Sequence, residues 1–369
     1  MRQTGLDLRR RSIEIILANQ TSSGAFIASP TFSQYGFCWV RDGAFIAHAL
    51  DLAEEHGAAA RFHDWMAEVV LARRVGLARA AEAGRRGDIP PVDYLHCRYS
   101  ADAAESAVVW PAFQLDGPGI WLWSLGEHVV RGGRLTPRRA EAASLIADYL
   151  AALWSCPSYD AWEESPEHVH TSTVGAIAAG LRAAGGYLAH GPSAQRSAEL
   201  AETADLIVRH LRTAAEAGYL PKWPGSGAVD GSLLWLGYPF GLFRLDDPIF
   251  ATTIERIEAE LVSAGGGVFR YLGDTYYGGG EWVLLTAALG SVYAARGAPG
   301  DSQKAVRCLE WIEAQADAEG LLPEQVAERA LHPEWTHDWV RSWGPSARPL
   351  LWSHAAYLVL HGQLESARP

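Results

Sequence analysis

The chain divides into about twelve segments of helical composition, and this count constrains its fold more than any other feature. The segments are rich in Ala, Leu, Ile, Val, Glu and Arg, which favour α-helix. They lie at 6–19, 42–56, 58–84, 117–131, 136–154, 171–188, 193–216, 247–264, 281–296, 301–317 and 349–364, with a short helix expected around 230–237. No convincing alternation of apolar and polar residues runs through the chain, which disfavours a mostly parallel sheet. The sequence therefore predicts an all-α protein.

Long connections rich in aromatic residues separate these segments. They lie at 22–41, 87–116, 155–170, 218–240, 265–280 and 318–348, and they contain many Trp, Tyr, Gly, Pro and charged residues. Long loops in a compact domain are usually functional. Six such loops, one for each pair of helices, predict two concentric rings of six helices with the aromatic loops at one mouth. Nothing resembles a disordered linker, so residues 1–369 are interpreted as a single domain.

Composition narrows the class of ligand. The chain has 15 tryptophans among 369 residues, and because indole rings stack on sugar faces as well as packing in cores, this excess favours a carbohydrate ligand. The net charge of −12 disfavours a nucleic-acid backbone and suits a neutral or cationic ligand. A small oligosaccharide is the expected partner, no nucleic acid is expected, and assembly into a homo-oligomer is left open.

The sequence predicts neither membrane insertion nor secretion. No run approaches the roughly 20 apolar residues that span a bilayer. The apolar stretch Ile13–Leu17 is interrupted by an acid and is too short for a signal-peptide core. Cys38, Cys97, Cys156 and Cys308 are widely scattered and form no C-x-x-C pair. Reduced thiols and a cytoplasmic location are expected.

Two glutamate-bearing segments carry the candidate chemistry. Glu163 and Glu164 follow Trp162, and Glu324 lies far along the chain in Leu321–Gln325. Two carboxyl groups among aromatic residues suit glycosidic bond cleavage, in which one protonates the leaving oxygen and the other attacks the sugar or activates water. Neighbouring carboxylates cannot usually both reach one atom, so at most one of Glu163 and Glu164 is the proton donor. A solvated acidic pair and an ordinary glutamate at a helix start are the competing interpretations.

Charged residues next to aromatic ones recur at three further places. The pair Arg41–Asp42 can grip vicinal hydroxyls of a terminal sugar, or it can form a salt bridge at a helix start with Asp42 as N-cap. Arg270–Tyr271 and Trp110–Asp116 repeat the pattern, with aromatic core packing beside a surface ion pair as the alternative.

Other chemistries leave little trace in the sequence. There is no H-E-x-x-H motif, and the 13 histidines lack zinc spacing; His168 and His170 are interpreted as surface or hydrogen-bonding groups. P-loop, dinucleotide-binding and G-x-S-x-G motifs are also missing. A metal enzyme, a nucleotide enzyme and a serine hydrolase are therefore disfavoured, and neither a cofactor nor a metal is expected.

Six motifs in order make the chain resemble glycoside hydrolase family 15, the glucoamylase family, from about Ser12 to Gly362. They are similar to the family's first substrate-binding motif, its tryptophan loop, its general-acid motif, its fourth motif, its general-base motif and the stretch that closes its barrel. In this sequence they are Trp39–Asp42, Trp110–Gly119, Tyr159–Glu164, Arg270–Tyr271 with Tyr276–Gly278, Leu322–Gln325 and Pro349–Ala356.

The resemblance implies an (α/α)6 barrel, a six-hairpin toroid, and hydrolysis with inversion at the anomeric carbon. It makes Glu163 the general acid and Glu324 the general base, with carboxyl groups about 6.5–9.5 Å apart so that a water fits. The substrate-binding residues expected on this basis are Tyr35, Trp39, Arg41, Asp42, Trp110, Asp116, Trp162, Glu164, Arg270, Tyr276, Glu281, Trp282 and Gln325.

Two departures from the family pattern bear on the substrate. The chain has room for neither the N-terminal β-sandwich of many prokaryotic relatives nor the starch-binding domain of some fungal ones. The family's Asn-Pro before the tryptophan of the fourth motif is replaced by Gly280–Glu281, where the carboxylate is either structural or part of the region beyond the first sugar. Both favour short soluble α-glucosides, with α-1,6 compounds such as isomaltose preferred. The alternatives are an α-1,4 glucoamylase or maltooligosaccharide hydrolase, an α,α-trehalase, a phosphorylase on a similar barrel, and a non-catalytic carbohydrate-binding protein.

Overall fold

The helices alternate between an outer and an inner layer. A computed structural model describes residues 7–88, 93–106, 108–188, 194–215 and 217–367. Its outer helices are α1 (Leu8–Ala18), α3 (His56–Ala72) with α4 (Arg74–Arg85), α6 (Pro137–Leu153), α8 (Ala194–Ala214), α9 (Pro248–Leu261) and α11 (Asp301–Ala314). Its inner helices are α2 (Val40–Leu52), α5 (Asp116–Val130), α7 (Thr171–Leu188), α10 (Val283–Arg296) and α13 (Leu351–Ser366), with a 3₁₀ helix, Gly231–Leu236, in the remaining inner position.

The six inner elements close into a ring. Helix α2 packs on α5, α5 on α7, α7 on the 3₁₀ helix, the 3₁₀ helix on α10, α10 on α13, and α13 back on α2. Each inner element follows an outer one along the chain. This is the (α/α)6 barrel, and the predicted fold class is confirmed.

Inner helices such as α2 are buried on all sides, whereas outer helices such as α11 are buried only on the side that faces the ring. Every residue from Val40 to Asp51 of α2 is buried, because an inner helix touches neighbours on all sides. The outer helix α11 buries Asp301, Ala305, Cys308 and Ile312, which recur about once per turn and form one stripe facing the ring.

Two glycines allow helices α5 and α7 of the inner ring to pack closely. A Cβ atom at Gly180 of α7 would overlap the carbonyl oxygen of Gly119 in α5, and one at Gly119 would lie 2.7 Å from the carbonyl oxygen of Ala176. The missing side chains therefore set the separation of α5 and α7.

Two pairs of short strands connect loops at the mouth of the barrel. Strand β1 (Cys38–Trp39) pairs with β2 (Arg98–Tyr99), and β3 (Glu281–Trp282) pairs with β4 (Gln325–Val326), both antiparallel. The second pair places the residue after Glu324 directly opposite Trp282. Loops far apart in the chain are thus paired with each other at the rim of the mouth.

The structure departs most from the sequence-based helix boundaries in two places. The segment 58–84 is broken at Arg73, whose side chain donates to Glu105 (2.8 Å) and to the carbonyl oxygen of Ala103 (2.9 Å) and covers the ring of Tyr99. The loop 318–348 contains an eight-residue helix, α12 (Thr336–Trp343), which the sequence analysis did not predict. Residues 6, 193 and 216 at the ends of predicted segments lie outside the described residues.

No helix in the described ranges is long and apolar enough to cross a membrane. The four cysteines are all unpaired.

Candidate active site

The candidate residues gather at one end of the barrel, in loops that lead into inner helices. Arg41 and Asp42 lie in the first turn of α2, Asp116 begins α5, Glu163 lies before α7, and Glu324 lies before α13. Because outer and inner helices alternate, every loop that enters an inner helix meets the others at the same mouth.

These loops enclose a cavity of about 380 Å³, a volume suited to a small molecule. Both candidate catalytic glutamates line it. So do ten of the predicted substrate-binding residues: Tyr35, Trp39, Arg41, Asp42, Trp110, Trp162, Glu164, Arg270, Tyr276 and Trp282.

Glu163 receives its hydrogen bonds on one carboxyl oxygen. The indole Nε1 of Trp39 donates to Oε1 at 2.6 Å, and the amide Nε2 of Gln114 donates to the same atom at 3.0 Å. With Oε1 occupied by donors, Oε2 is the oxygen suited to hold a proton and pass it into the cavity.

The turn that carries Glu163 is strained and tightly held. Glu163 has a left-handed backbone conformation with φ of 68°, which a non-glycine residue rarely adopts. Asp160 accepts hydrogen bonds from the backbone N–H groups of Trp162 and Glu164, each at 2.9 Å. Lys222 Nζ lies 3.3 Å from the other carboxylate oxygen of Asp160. Strain that the surrounding contacts maintain in this way is typical of functional sites.

Glu324 lies in a different environment, buried and surrounded by hydroxyl groups. Tyr35 donates to Oε1 at 2.9 Å, while Tyr276 (3.3 Å) and Ser346 (3.1 Å) donate to Oε2. Burial raises the pKa of Glu324 to about 7, although the hydrogen bonds from Tyr35 and Ser346 act in the opposite direction. Burial also raises the pKa of Tyr35 and that of Tyr276 well above the usual range, so both phenols stay protonated as donors.

Arg41 is oriented by two buried partners. Its Nη1 donates to Gln114 Oε1 at 2.7 Å and to Asp116 Oδ2 at 3.1 Å. Gln114 therefore connects Arg41 with Glu163. Asp42 lies beside Arg41, and burial raises the pKa of its carboxyl to about 7, with Arg41 partly offsetting that effect.

On another wall of the cavity, Arg270 and Glu164 hold each other in place. Arg270 Nε donates to Asp274 Oδ2 at 2.7 Å, and its Nη2 lies 3.3 Å from Glu164 Oε1. The hydroxyl of Tyr271 donates to the other oxygen of Glu164. A guanidinium and a carboxylate fixed in this way can recognise neighbouring hydroxyls of a sugar.

The family assignment rests on a match to most of the chain. The model of glycosyl hydrolases family 15 matches residues 6–315. The chain belongs to glycoside hydrolase family 15. This family 15 protein is thus a glycoside hydrolase of the glucoamylase-like type, as the order of its motifs predicts.

Similar proteins cover the chain from end to end. Isomaltose glucohydrolase from Kribbella flavida is 41% identical over 379 aligned residues, which span 98% of this chain and 96% of that protein. The wild-type structure of a glycosidase is 42% identical, covers 98% of this chain and 99% of its own, and superimposes with a TM-score of 0.91. A variant of the glycosidase solved in complex with glucose matches with the same values.

More distant structures share the fold alone. A bacterial glucoamylase complexed with acarbose is 21% identical, with a TM-score of 0.70 over 97% of this chain and 55% of its own. The glucoamylase from Saccharomycopsis fibuligera is 15% identical, with a TM-score of 0.73 over 98% of this chain and 96% of its own.

Three predicted substrate-binding residues of the family 15 chain do not line the cavity. Asp116 lies behind Arg41, and Gln325 lies behind the rim, where its Oε1 accepts the N–H of Gly280 at 2.9 Å. Glu281 is completely buried, and its carboxylate accepts a hydrogen bond from Ser263. Successive residues of a strand point to opposite sides, so Trp282 of β3 faces the cavity and Glu281 faces away.

Several residues at the site of the family 15 protein were not predicted from sequence. Gln114 and Ser346 bond the two glutamates, and Trp339, Trp343 and Trp352 line the cavity. Gln114 lies inside the tryptophan loop and Trp352 inside the closing motif, so both were within reach of the motif analysis. Ser346 lies in no motif that the sequence analysis recognised. Trp339 and Trp343 belong to helix α12, which was not predicted.

Within the described part of the family 15 protein, the residues that line the cavity include no histidine and no cysteine. Among the described residues, one group of side chains could hold a metal ion: Asp51, His63 and His128. None of these three lines the cavity.

Proposed function

We propose that this protein is an exo-acting, inverting α-glucosidase that releases β-D-glucose from the non-reducing ends of short α-glucosides, with isomaltose as the preferred substrate. The observation that carries this proposal is the placement of Glu163 and Glu324 in one cavity, in environments that suit an acid and a base. The similarity to isomaltose glucohydrolase over almost the whole chain supports the α-1,6 linkage.

The proposed reaction is a single displacement. Glu163 transfers a proton from Oε2 to the glycosidic oxygen as its bond to the anomeric carbon breaks. Glu324 accepts a proton from a water whose oxygen forms the new bond on the opposite face of that carbon. Burial makes Glu324 more basic than an ordinary carboxylate, which helps it to deprotonate water. The expected carboxyl separation, about 6.5–9.5 Å, stays a prediction.

We assign binding of the terminal glucose to two charged pairs that line the cavity. Arg41 with Asp42 and Arg270 with Glu164 present fixed donors and acceptors to sugar hydroxyls. Trp343 lines the cavity while 47% of its surface is exposed, which puts it at the mouth. There its indole ring can stack on the second sugar unit.

The experiment follows the anomeric protons of the product by NMR with isomaltose, maltose and trehalose as separate substrates. Fresh β-glucose from isomaltose, released faster than from the other two, is the expected result. Fresh α-glucose would mean retention and would remove Glu324 from its role as base. β-Glucose from maltose or trehalose alone would assign the linkage to those alternatives.

A parallel reaction in phosphate and phosphate-free buffer separates hydrolysis from phosphorolysis. The proposal expects the same rate and free glucose in both, since water is the nucleophile. Glucose 1-phosphate formed only with phosphate would indicate the phosphorylase. No product from any substrate in either buffer would indicate a carbohydrate-binding protein without turnover.

The pH dependence of kcat/KM follows from the base. Glu324 acts as a carboxylate, which predominates above its pKa of about 7, so kcat/KM for isomaltose is expected to fall as the pH is lowered through that value. The pKa of the Asp42 carboxyl is also raised to about 7, so its protonation can make the fall in kcat/KM at low pH steeper. Steady-state rates across the acidic and neutral range give the profile.

Tyr35→Phe identifies which carboxyl controls the acidic limb of the pH profile, the part in which kcat/KM falls as the pH is lowered. The bond from Tyr35 lowers the pKa of Glu324, so its removal raises that pKa and moves the limb to higher pH. A limb that stays in place in the variant, or a profile that is flat down to about pH 5, contradicts Glu324 as the titrating base.

The cytoplasmic location belongs to the proposal as well. Its support is that all four cysteines are unpaired, as is usual in a reducing compartment.

A further inference from the structure

Three helices bring a carboxylate and two imidazoles together away from the catalytic cavity. Asp51 lies near the C-terminal end of α2, His63 in α3, and His128 near the C-terminal end of α5. Each offers one possible ligand atom, and these atoms all lie within 4.8 Å of one another. The three residues are 2%, 0% and 2% exposed, respectively.

This cluster lies at the opposite end of the barrel from the catalytic mouth. Asp42, which lines the cavity, and Asp51 are both on α2, nine residues apart (51 − 42). At the helical rise of 1.5 Å per residue, they are separated by about 14 Å along the axis. The cluster is therefore no part of the catalytic machinery.

Asp51 is the centre of the group. Its carboxylate accepts from Nδ1 of His128, at 3.0 Å to one oxygen and 2.9 Å to the other. It also accepts from Nδ1 of His56 at 2.9 Å. The His56 side chain is half exposed, whereas that of Asp51 is fully buried, so His56 forms the boundary between the cluster and solvent.

His63 is the unusual member, because it is completely buried and neither of its ring nitrogens has a hydrogen-bond partner among the residues that the structure describes. Its ring centroid lies 5.0 Å from that of His128 and 5.6 Å from that of Phe62. A neutral imidazole carries a free lone pair on one ring nitrogen, which can bind a metal ion. Native proteins rarely leave a buried polar group without a partner.

We propose that Asp51, His63 and His128, with His56 as the fourth ligand, bind one Zn²⁺ ion that ties α2, α3 and α5 together. Imidazole nitrogens and a carboxylate oxygen form a common ligand set for zinc, at 2.0–2.2 Å in a tetrahedron. The set suits neither Ca²⁺ nor Mg²⁺, which prefer oxygen ligands throughout.

The distances require two side chains to move. Ligand atoms of a tetrahedral zinc lie about 3.3 Å apart, so the atoms now hydrogen-bonded at 2.9–3.0 Å separate by a few tenths of an ångström. The His63 ring moves closer to Asp51 and His128, and the half-exposed His56, which is outside the group within 4.8 Å, turns towards them. Zinc takes the lone pair of Nδ1 in His128 when the ring carries its proton on Nε2.

The surrounding charges allow a dication. Asp51 supplies one negative charge directly. Arg139 is a cation close enough to affect His63, but it is already paired with Asp64 at 2.7 Å. Arg131, which follows the last residue of α5, lies 3.6 Å from Glu127, so its charge is offset as well.

The test measures zinc on the full chain with any histidine tag removed. The protein is stripped with a chelator, loaded with Zn²⁺ and dialysed, and the bound metal is counted by mass spectrometry. We expect one zinc per chain and a Tm a few degrees above that of the stripped protein, because an ion that binds only the folded state stabilises it. Co²⁺ in its place should give the visible absorption of a tetrahedral site.

The variants assign the ion to this cluster. His63→Phe keeps a flat aromatic ring but removes a ligand. It should weaken zinc binding by at least about 100-fold, which is more than the loss of a residue that only hydrogen-bonds a ligand would cause. His56→Ala changes a half-exposed residue that is expected to tolerate substitution, and should weaken binding in the same direction. His210→Phe, which changes an exposed histidine on α8, is the matched control and should bind as the wild type does.

A stripped wild type that takes up no zinc would overturn the proposal. So would a His56→Ala or His63→Phe variant that binds zinc as tightly as the wild type. The readouts are metal content, Tm and absorption, so the test stands independently of the substrate of the catalytic cavity.

Discussion

Glu163→Gln is expected to lower kcat for isomaltose by about 10²- to 10⁴-fold, the usual contribution of a general acid. The amide still accepts from Trp39 and Gln114 but has no proton to give to the glycosidic oxygen. Steady-state hydrolysis of isomaltose measures the loss. Glu167→Gln in the same loop, where the side chain is 66% exposed, is the matched control and should keep wild-type activity.

The leaving group shows whether the lost function is proton donation. Fluoride needs little protonation to depart, so Glu163→Gln should hydrolyse α-glucosyl fluoride at a rate within about tenfold of the wild type. If the variant is equally slow on isomaltose and the fluoride, Glu163 acts in some way other than as the acid. Unchanged isomaltose hydrolysis would exclude it from catalysis.

Glu324→Gln is expected to reduce kcat by about 10²- to 10⁴-fold as well, but for both substrates. Activation of water is needed whatever the leaving group, so α-glucosyl fluoride should not rescue this variant. The amide can still accept from Tyr35, which preserves part of the local hydrogen bonding. Rates on isomaltose and on the fluoride, measured side by side with those of Glu163→Gln, separate the two roles.

The control for this variant is Glu328→Gln, an exposed glutamate in the loop that follows. It should leave both rates unchanged. Near wild-type turnover by Glu324→Gln would show that no base is required, which is the behaviour of the phosphorylase alternative.

The sequence alone was sufficient for the family, the fold class and the two catalytic candidates. The helix count follows from local composition, because helix propensity and the spacing of apolar residues act within a few turns. Glu163 and Glu324 were found because each lies in a short motif with aromatic or proline neighbours. Both line the cavity, as do ten of the thirteen predicted binding residues.

The register of the strands and the contacts between residues distant in the chain could not be predicted from the sequence. The alternation of β3 directs Trp282 into the cavity and Glu281 towards Ser263, and the pairing of β3 with β4 fixes that strand at the rim. The break at Arg73 depends on contacts with residues 99–105, and helix α12 packs its Trp339 on Tyr276 and Tyr277. In each case, the deciding neighbour is distant in the chain.

The chain by itself determined most of the segments that become helices and which residue types are available to act on a sugar. Only the tertiary structure decided which of them meet, because the closed ring joins loops separated by more than a hundred residues. The same closure places Gln114 and Ser346 on the two glutamates. It also gathers Asp51, His63 and His128 from three helices, although no local spacing among the 13 histidines suggests a zinc site.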